Sequence, residues 1–219
     1  MTGIFPELGY ICGAACGGEC VQRHAGCNFV MEFEKDIESC LAVLQAGGLI
    51  LYPTDTVWGI GCDATNVSAV AKVYALKQRV AAKSLIVLMA DERDVLKYTS
   101  QPDLRVFDFL QTVSKPTTVI YAGAIGLADN LVNEDGTVAI RLVSETFCRH
   151  LVKRFRRPLV STSANISGEV SPAFFREVDT RIVDGVDYVV EYRRDDETVR
   201  EPSAIVRWNA DASVTVIRP

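Results

Sequence analysis

The chain has 219 residues, 48% of them hydrophobic and 23% charged, with a formal net charge of -5. This is globular material, enough for one large domain or two small ones. The acidic balance makes no general case for a nucleic-acid partner, and the absence of any apolar run near the roughly 18 residues of a membrane span argues against membrane insertion.

In chain order, the opening MTGIFPELGY lacks the positive start and apolar core of a signal peptide, so a cytoplasmic location is expected. ICGAACGGECVQRHAGC (11–27) then crowds Cys12, Cys16, Cys20, His24 and Cys27. Thiolates and imidazole are zinc donors, but the usual cysteine pair separated by two residues is missing. A disordered Cys/Gly-rich leader over 1–30 is the expectation, followed by one domain over 31–219 with no metal held by protein side chains. Cys40, Cys62 and Cys148 lie in apolar surroundings and read as buried thiols.

Ile37, Leu41 and Leu44 recur at helical spacing, and Gly47-Gly48 closes that helix. LILY (49–52) reads as a strand. A helix follows from Ser68 with Val70, Val73 and Tyr74 on one face and Lys77 in its last turn. LIVLM (85–89) is a strand, and Pro102 opens a helix with Leu104, Phe107 and Leu110 inward. TTVIY (117–121) and TVAIRL (137–142) are strands, Phe147, Leu151 and Phe155 mark a helix, and PLVST (158–162) is a strand. Ser171-Pro172 begins a further helix; DYVVE, SAIVRW and SVTVI complete the strands. Alternation of short apolar strands with helices predicts a single α/β domain whose sheet is mostly buried. The charged run YRRDDETVRE (192–201) reads as a surface loop, with a lid over a ligand as the alternative.

Three polar segments break the apolar pattern. YPTDTVWGIGCD (52–63) runs a strand into Pro53, Thr54, Asp55 and Thr56, a turn rich in short hydrogen-bonding groups. LKQRVAAKS (76–84) puts Lys77, Arg79 and Lys83 at a helix end, where cations suit an anion or simply complement the helix dipole. LVSTSANISG (159–168) supplies Ser161, Ser163 and Asn165, short donors that can approach a phosphate chain closely. Arg141 and Ser203 stand at further strand ends, where ligands of open α/β sheets gather. There is no Walker loop, no GxGxxG, and neither His24 nor His150 neighbours a plausible nucleophile.

With YPTDTVWGIGCD, LKQR followed by K-S-L, VAIR, LVSTSANISG and PSAIV in this order, the chain from about 34 to 219 resembles the YrdC-like family of L-threonylcarbamoyladenylate synthases. The family's K-x-R and S-x-N signature stands here as Lys77-Gln78-Arg79 and Ser163-Ala164-Asn165. The resemblance implies a YrdC-like fold, a twisted mixed sheet of about seven strands flanked by helices. It implies a nucleotidyltransferase making threonylcarbamoyl-AMP and pyrophosphate from L-threonine, bicarbonate and ATP with Mg2+, for t6A in tRNA, with downstream threonylcarbamoyl-transfer proteins as partners. By the same resemblance Lys77, Arg79, Ser163 and Asn165 are catalytic. Thr54, Arg141 and Ser203 bind threonine, and Lys83, Thr118, Ser161 and Arg218 join the signature residues around ATP. Two departures stand out: VSKPTT (113–118) keeps only Pro116 and Thr118 of the family's W-P-G-P-x-T, and Val80 replaces a proline. The rival readings are carbamoyl-adenylate chemistry on another acceptor and an RNA-binding module resting on KRFRR (153–157), a run equally suited to a solvated helix end.

Overall fold

In the computed structural model, which describes residues 32–79, 85–100 and 102–219, apolar spacing decides the first helix. Ile37, Cys40 and Leu44 face inward from α1 (Glu34–Gln45), while Leu41 is only half-buried. Gly47, at φ 73, makes the left-handed turn that leads into β1 (Ile50–Tyr52). Next come β2 (Gly59–Asp63) and α2 (Val67–Leu76), whose first turn is capped by Asn66, not Ser68: its Oδ1 accepts from the Ala69 amide at 3.1 Å. β3 (Ile86–Met89) precedes α3 (Glu92–Tyr98), an element too short and polar to leave a periodic pattern, since Val95 is its buried residue. In α4 (Arg105–Thr112) Val106 and Phe107 are buried, but Leu104 sits at the cap and is exposed rather than inward.

β4 (Thr117–Tyr121), β5 (Val138–Leu142), α5 (Thr146–Phe155) and β6 (Leu159–Ser163) fall where the pattern places them. The helix expected from Ser171-Pro172 is instead a 3-10 turn (Phe175–Glu177) followed by the four-residue α6 (Thr180–Val183). β7 (Tyr188–Val189), β8 (Ala204–Trp208) and β9 (Val214–Arg218) close the chain. The described residues form one mixed sheet of nine strands, not seven, in the order β7-β1-β2-β6-β3-β5-β4-β8-β9. β1–β7, β3–β5 and β4–β8 are parallel pairs and the remaining neighbours antiparallel. No helix among the described residues is long and apolar enough to cross a membrane.

Strand periodicity gives the sheet two different faces. Cys62, Val87, Met89, Val119, Ile140, Val160 and Val206 share one face and belong to the main core with Val70, Val73 and Phe107 of the helices. The register puts Ser161 opposite Gly61 and Ile86, Ile86 opposite Ala139, and Arg141 opposite Thr118, all on the other face. That second face is partly polar, so it either faces water or holds something.

Buried Asp36 ties α1 to β7 and to the segment after it. It accepts from the Tyr188 hydroxyl at 2.7 Å and from the amides of Glu191 and Tyr192 at 2.9 and 2.8 Å. Asp36→Ala strips three donors of their acceptor, and a loss of about 2 kcal/mol is expected. A thermal melt checks this: a fall of a few degrees agrees, and an unchanged midpoint would show that water replaces the carboxylate.

Candidate active site

The helix α2 ends in a left-handed residue. Gln78 has φ 51, and the Arg79 amide donates back to the Tyr74 carbonyl at 2.9 Å, so the chain reverses within K-x-R. Its two cations part company there. Lys77 is 1% exposed, and its ammonium donates to the Ser163 carbonyl, to the Asn165 carbonyl at 2.6 Å and to Asn165 Oδ1 at 3.4 Å. The Ser167 amide donates to the Lys77 carbonyl at 2.9 Å, closing the clamp. Burial, with Arg79 adding to it, pushes the Lys77 pKa down to about 8. Of the two readings of this lysine, the helix-dipole one does not describe it: its N–H groups are engaged by the S-x-N turn. Arg79 is half-buried, lines the cleft described below, and has its pKa lowered by burial.

The S-x-N turn is equally self-contained. Ser163 Oγ donates to Asn165 Oδ1 at 2.5 Å, and Asn165 Nδ2 donates to the carbonyls of Ile166 at 2.9 Å and Glu169 at 2.7 Å. Asn165 thus shapes the turn that presents Ser163.

Across the cleft, Thr54 is buried and folds its own turn: its hydroxyl donates to the Val57 carbonyl at 2.8 Å and accepts from the Thr56 amide at 3.0 Å. Asp55, between the two threonines, meets Arg141 Nη2 at 2.9 Å, with side chains 6% and 4% exposed. The contact is an ion pair by distance without an aligned hydrogen bond, since both Asp55 oxygens and Arg141 Nε are buried without hydrogen-bond partners. Tyr52, buried nearby, has its hydroxyl pKa pushed well up by burial. Thr118 and Ser203 share a hydrogen bond of 2.9 Å, and Arg218 Nε and Nη2 hold the Ser203 carbonyl at 3.0 and 2.7 Å. Burial first, and then Arg141, lower the pKa of Arg218.

These pieces enclose a cleft of about 360 Å3. Among the expected residues, Thr54, Arg79, Arg141, Ser161, Ser163, Ser203 and Arg218 line it; Lys77, Asn165 and Thr118 do not, but each is hydrogen-bonded to a residue that does. Lys83 lies outside the described residues, as do Cys12, Cys16, Cys20, His24 and Cys27 of the expected leader. The cleft does not sit beyond the strand ends. It crosses the polar face of the sheet, over Gly59, Ser161, Ile86, Ala139 and Ile120. Gly59 keeps that floor low: a Cβ there would come within 3.2 Å of Ser161 Oγ and of the Thr162 carbonyl.

Sequence reasoning passed over two residues. Thr56 lines the cleft beside Thr54. Arg193, in the charged run, has φ 64, is 13% exposed, donates to the Thr54 carbonyl at 3.1 Å and pairs with Asp196 at 2.9 Å. The run is thus strapped onto the outside of the threonine turn, and only its partners, distant in sequence, could have said so. In KRFRR, Arg154 pairs with Glu34 and Arg157 with Asp63, so two of its cations already face carboxylates.

Among the described residues a protein-held metal does not fit the cleft: none of them lines it with a carboxylate, and they contain no cluster of three His, Cys, Asp or Glu side chains able to hold an ion. Its hydroxyls and three arginines suit phosphate and carboxylate oxygens, and with them a magnesium ion carried on phosphates and water.

Comparison with known proteins gives the family of the chain. The family model Sua5/yciO/yrdC, described as "Telomere recombination", matches residues 42–219. A threonylcarbamoyl-AMP synthase of Pseudoalteromonas translucida is 30% identical over 164 residues, 74% of this chain and 88% of its own. One from Stenotrophomonas maltophilia is 32% identical over 161 residues, 72% of this chain and 87% of its own. The crystal structure of P. abyssi Sua5 complexed with L-threonine superposes with a TM-score of 0.74 at 20% identity over 84% of this chain, which spans 54% of that longer protein. A family model that takes in every wall segment of the cleft and the sheet beneath them leaves one assignment: the chain belongs to the Sua5/yciO/yrdC family.

Proposed function

We propose that the protein is a threonylcarbamoyl-AMP synthase, a nucleotidyltransferase that joins L-threonine, bicarbonate and ATP into threonylcarbamoyl-AMP with release of pyrophosphate, in the service of t6A formation in tRNA. The observation that carries this reading is one cleft lined by three arginines and a ring of hydroxyls, with no histidine and no carboxylate among the described residues of its wall. Relatives of the same name match over most of their own length.

The chemistry asks for such a site. Bicarbonate takes up a proton and loses water to give CO2; the threonine amine, having lost one proton to solvent, adds to its carbon, and loss of a second proton from nitrogen leaves a carbamate. A carbamate oxygen then forms a bond to the α-phosphorus of ATP as the bond to the pyrophosphate oxygen breaks. Neither step needs a protein nucleophile; both need reactants held in line and charge offset as it moves onto the leaving phosphates. Arg141, between the threonine turn and Arg218, is suited to the amino-acid carboxylate, and Thr54 and Thr56 to its hydroxyl end. Arg79, Arg218, Ser161 and Ser163 are suited to the phosphates, with Lys77 and Asn165 fixing the turn that offers Ser163. Magnesium carried by ATP offsets phosphate charge when bound. The threonylcarbamoyl adenylate would be handed to proteins that transfer its threonylcarbamoyl group to tRNA with release of AMP.

Pyrophosphate release measured with each reactant withheld in turn tests this. Release that requires threonine, bicarbonate and ATP together is expected. Release without threonine, or none in the complete mixture, would overturn the reading.

A further inference from the structure

Arg141 and Asp55 form a buried ion pair on a cleft whose wall, among the described residues, holds two more arginines and no carboxylate. A guanidinium this deep needs a counter-ion. The way Asp55 serves leaves room for more: it makes one contact, at 2.9 Å to Nη2, while Arg141 Nε has no acceptor. Five N–H donors with one charged partner can take a second acceptor. Yet the positive charge is already cancelled. Arg218 differs, because its partners are the carbonyl and hydroxyl of Ser203 and, among the described residues, it has no carboxylate within ion-pair distance.

We propose that Asp55 is a specificity-determining residue that sorts the anions of the cleft: by neutralising Arg141 it reserves that guanidinium for the single carboxylate of a zwitterionic amino acid and turns phosphate chains towards Arg218. This rests on the reading that the cleft takes threonine and ATP together. A multiply charged phosphate gains most from an uncompensated cation, whereas a zwitterion carries no net charge and is held by directed hydrogen bonds. Asp55 does not line the cleft and acts through Arg141. With its charge removed, Arg141 becomes another uncompensated cation, and phosphate should invade the amino-acid end.

Calorimetry on the full chain with inorganic pyrophosphate tests this without relying on turnover. Wild-type protein is expected to bind one pyrophosphate, and Asp55→Asn two, the second at least tenfold tighter than any binding at that end in the wild type. L-threonine should displace the second and spare the first. Equal stoichiometry in both proteins would overturn the proposal, as would two sites in the wild type, and mere structural damage does not create a new anion site. Should Asp55→Asn not fold, Asp55→Ser, with room for water against the guanidinium, carries the same test. A second site that appears but ignores threonine would uphold the role of Asp55 and sink the threonine assignment instead.

Discussion

Lys77→Ala is expected to reduce pyrophosphate release at least 100-fold and to destabilise the fold by about 1–3 kcal/mol. The activity loss follows from geometry. The ammonium holds both carbonyls that flank Ala164, and a shift of roughly 1 Å in a positioning turn is enough for a hundredfold effect. The stability loss follows from leaving those acceptors without donors. It is limited because the lysine is buried at a cost. With a folded pKa of about 8 against an ordinary 10.5, the unfolded chain binds more protons between those values, so this group makes stability rise with pH across that window. A charge kept at the expense of stability marks a functional position. Lys77→Met, which refills the volume and removes the charge, should melt closer to wild type and remain inactive. Wild-type activity in a folded Lys77→Ala protein would overturn the clamp.

Arg141→Ala should weaken threonine binding by about 2–4 kcal/mol, the scale for a charge-assisted pair lost from a buried site, while ATP affinity changes much less. The same substitution abandons Asp55 in the interior, and a stability loss of about 3–5 kcal/mol is expected with it. The two effects separate in a double-mutant cycle. Removing Asp55 as well should restore most of the stability and none of the threonine affinity. Equal losses for both substrates would make Arg141 a structural residue of β5 rather than a carboxylate ligand.

What the sequence discloses depends on how local the cause is. The stripe of Ile37 and Leu44 predicts α1, and apolar runs predict β3, β4, β5 and β6, because the period of a helix or strand is written in neighbouring residues. β2 is hidden, since Gly59 and Gly61 are poor strand formers; a Cβ at Gly61 would come within 2.7 Å of the Tyr52 ring, which no spacing rule foresees. β7, of two residues, and α3, with Val95 as its buried residue, lie below the length at which periodicity registers. The family signature marks Arg79 and Ser163 of the cleft wall, but it does not say that Lys77 is spent on holding the S-x-N turn. That depends on a partner 86 residues later in the chain. Asp55 and Arg193 belong to the same class: each is unremarkable in its own segment and acquires a role through a residue more than 80 positions away.

The cleft is assembled from residues spread between Thr54 and Arg218, with β9 pairing onto β8 at the far edge of the sheet. A chain still emerging from the ribosome therefore carries the threonine turn, the clamp and the S-x-N turn long before it can hold Ser203 from below. The parallel pairs β1–β7 and β4–β8 likewise wait for partners made late. Because a ligand stabilises only the form that binds it, threonine and ATP can protect the finished protein but not a stalled or truncated one. Substrate supply then acts as a check on completeness: proteolysis in their presence should clear unfinished chains and spare whole ones.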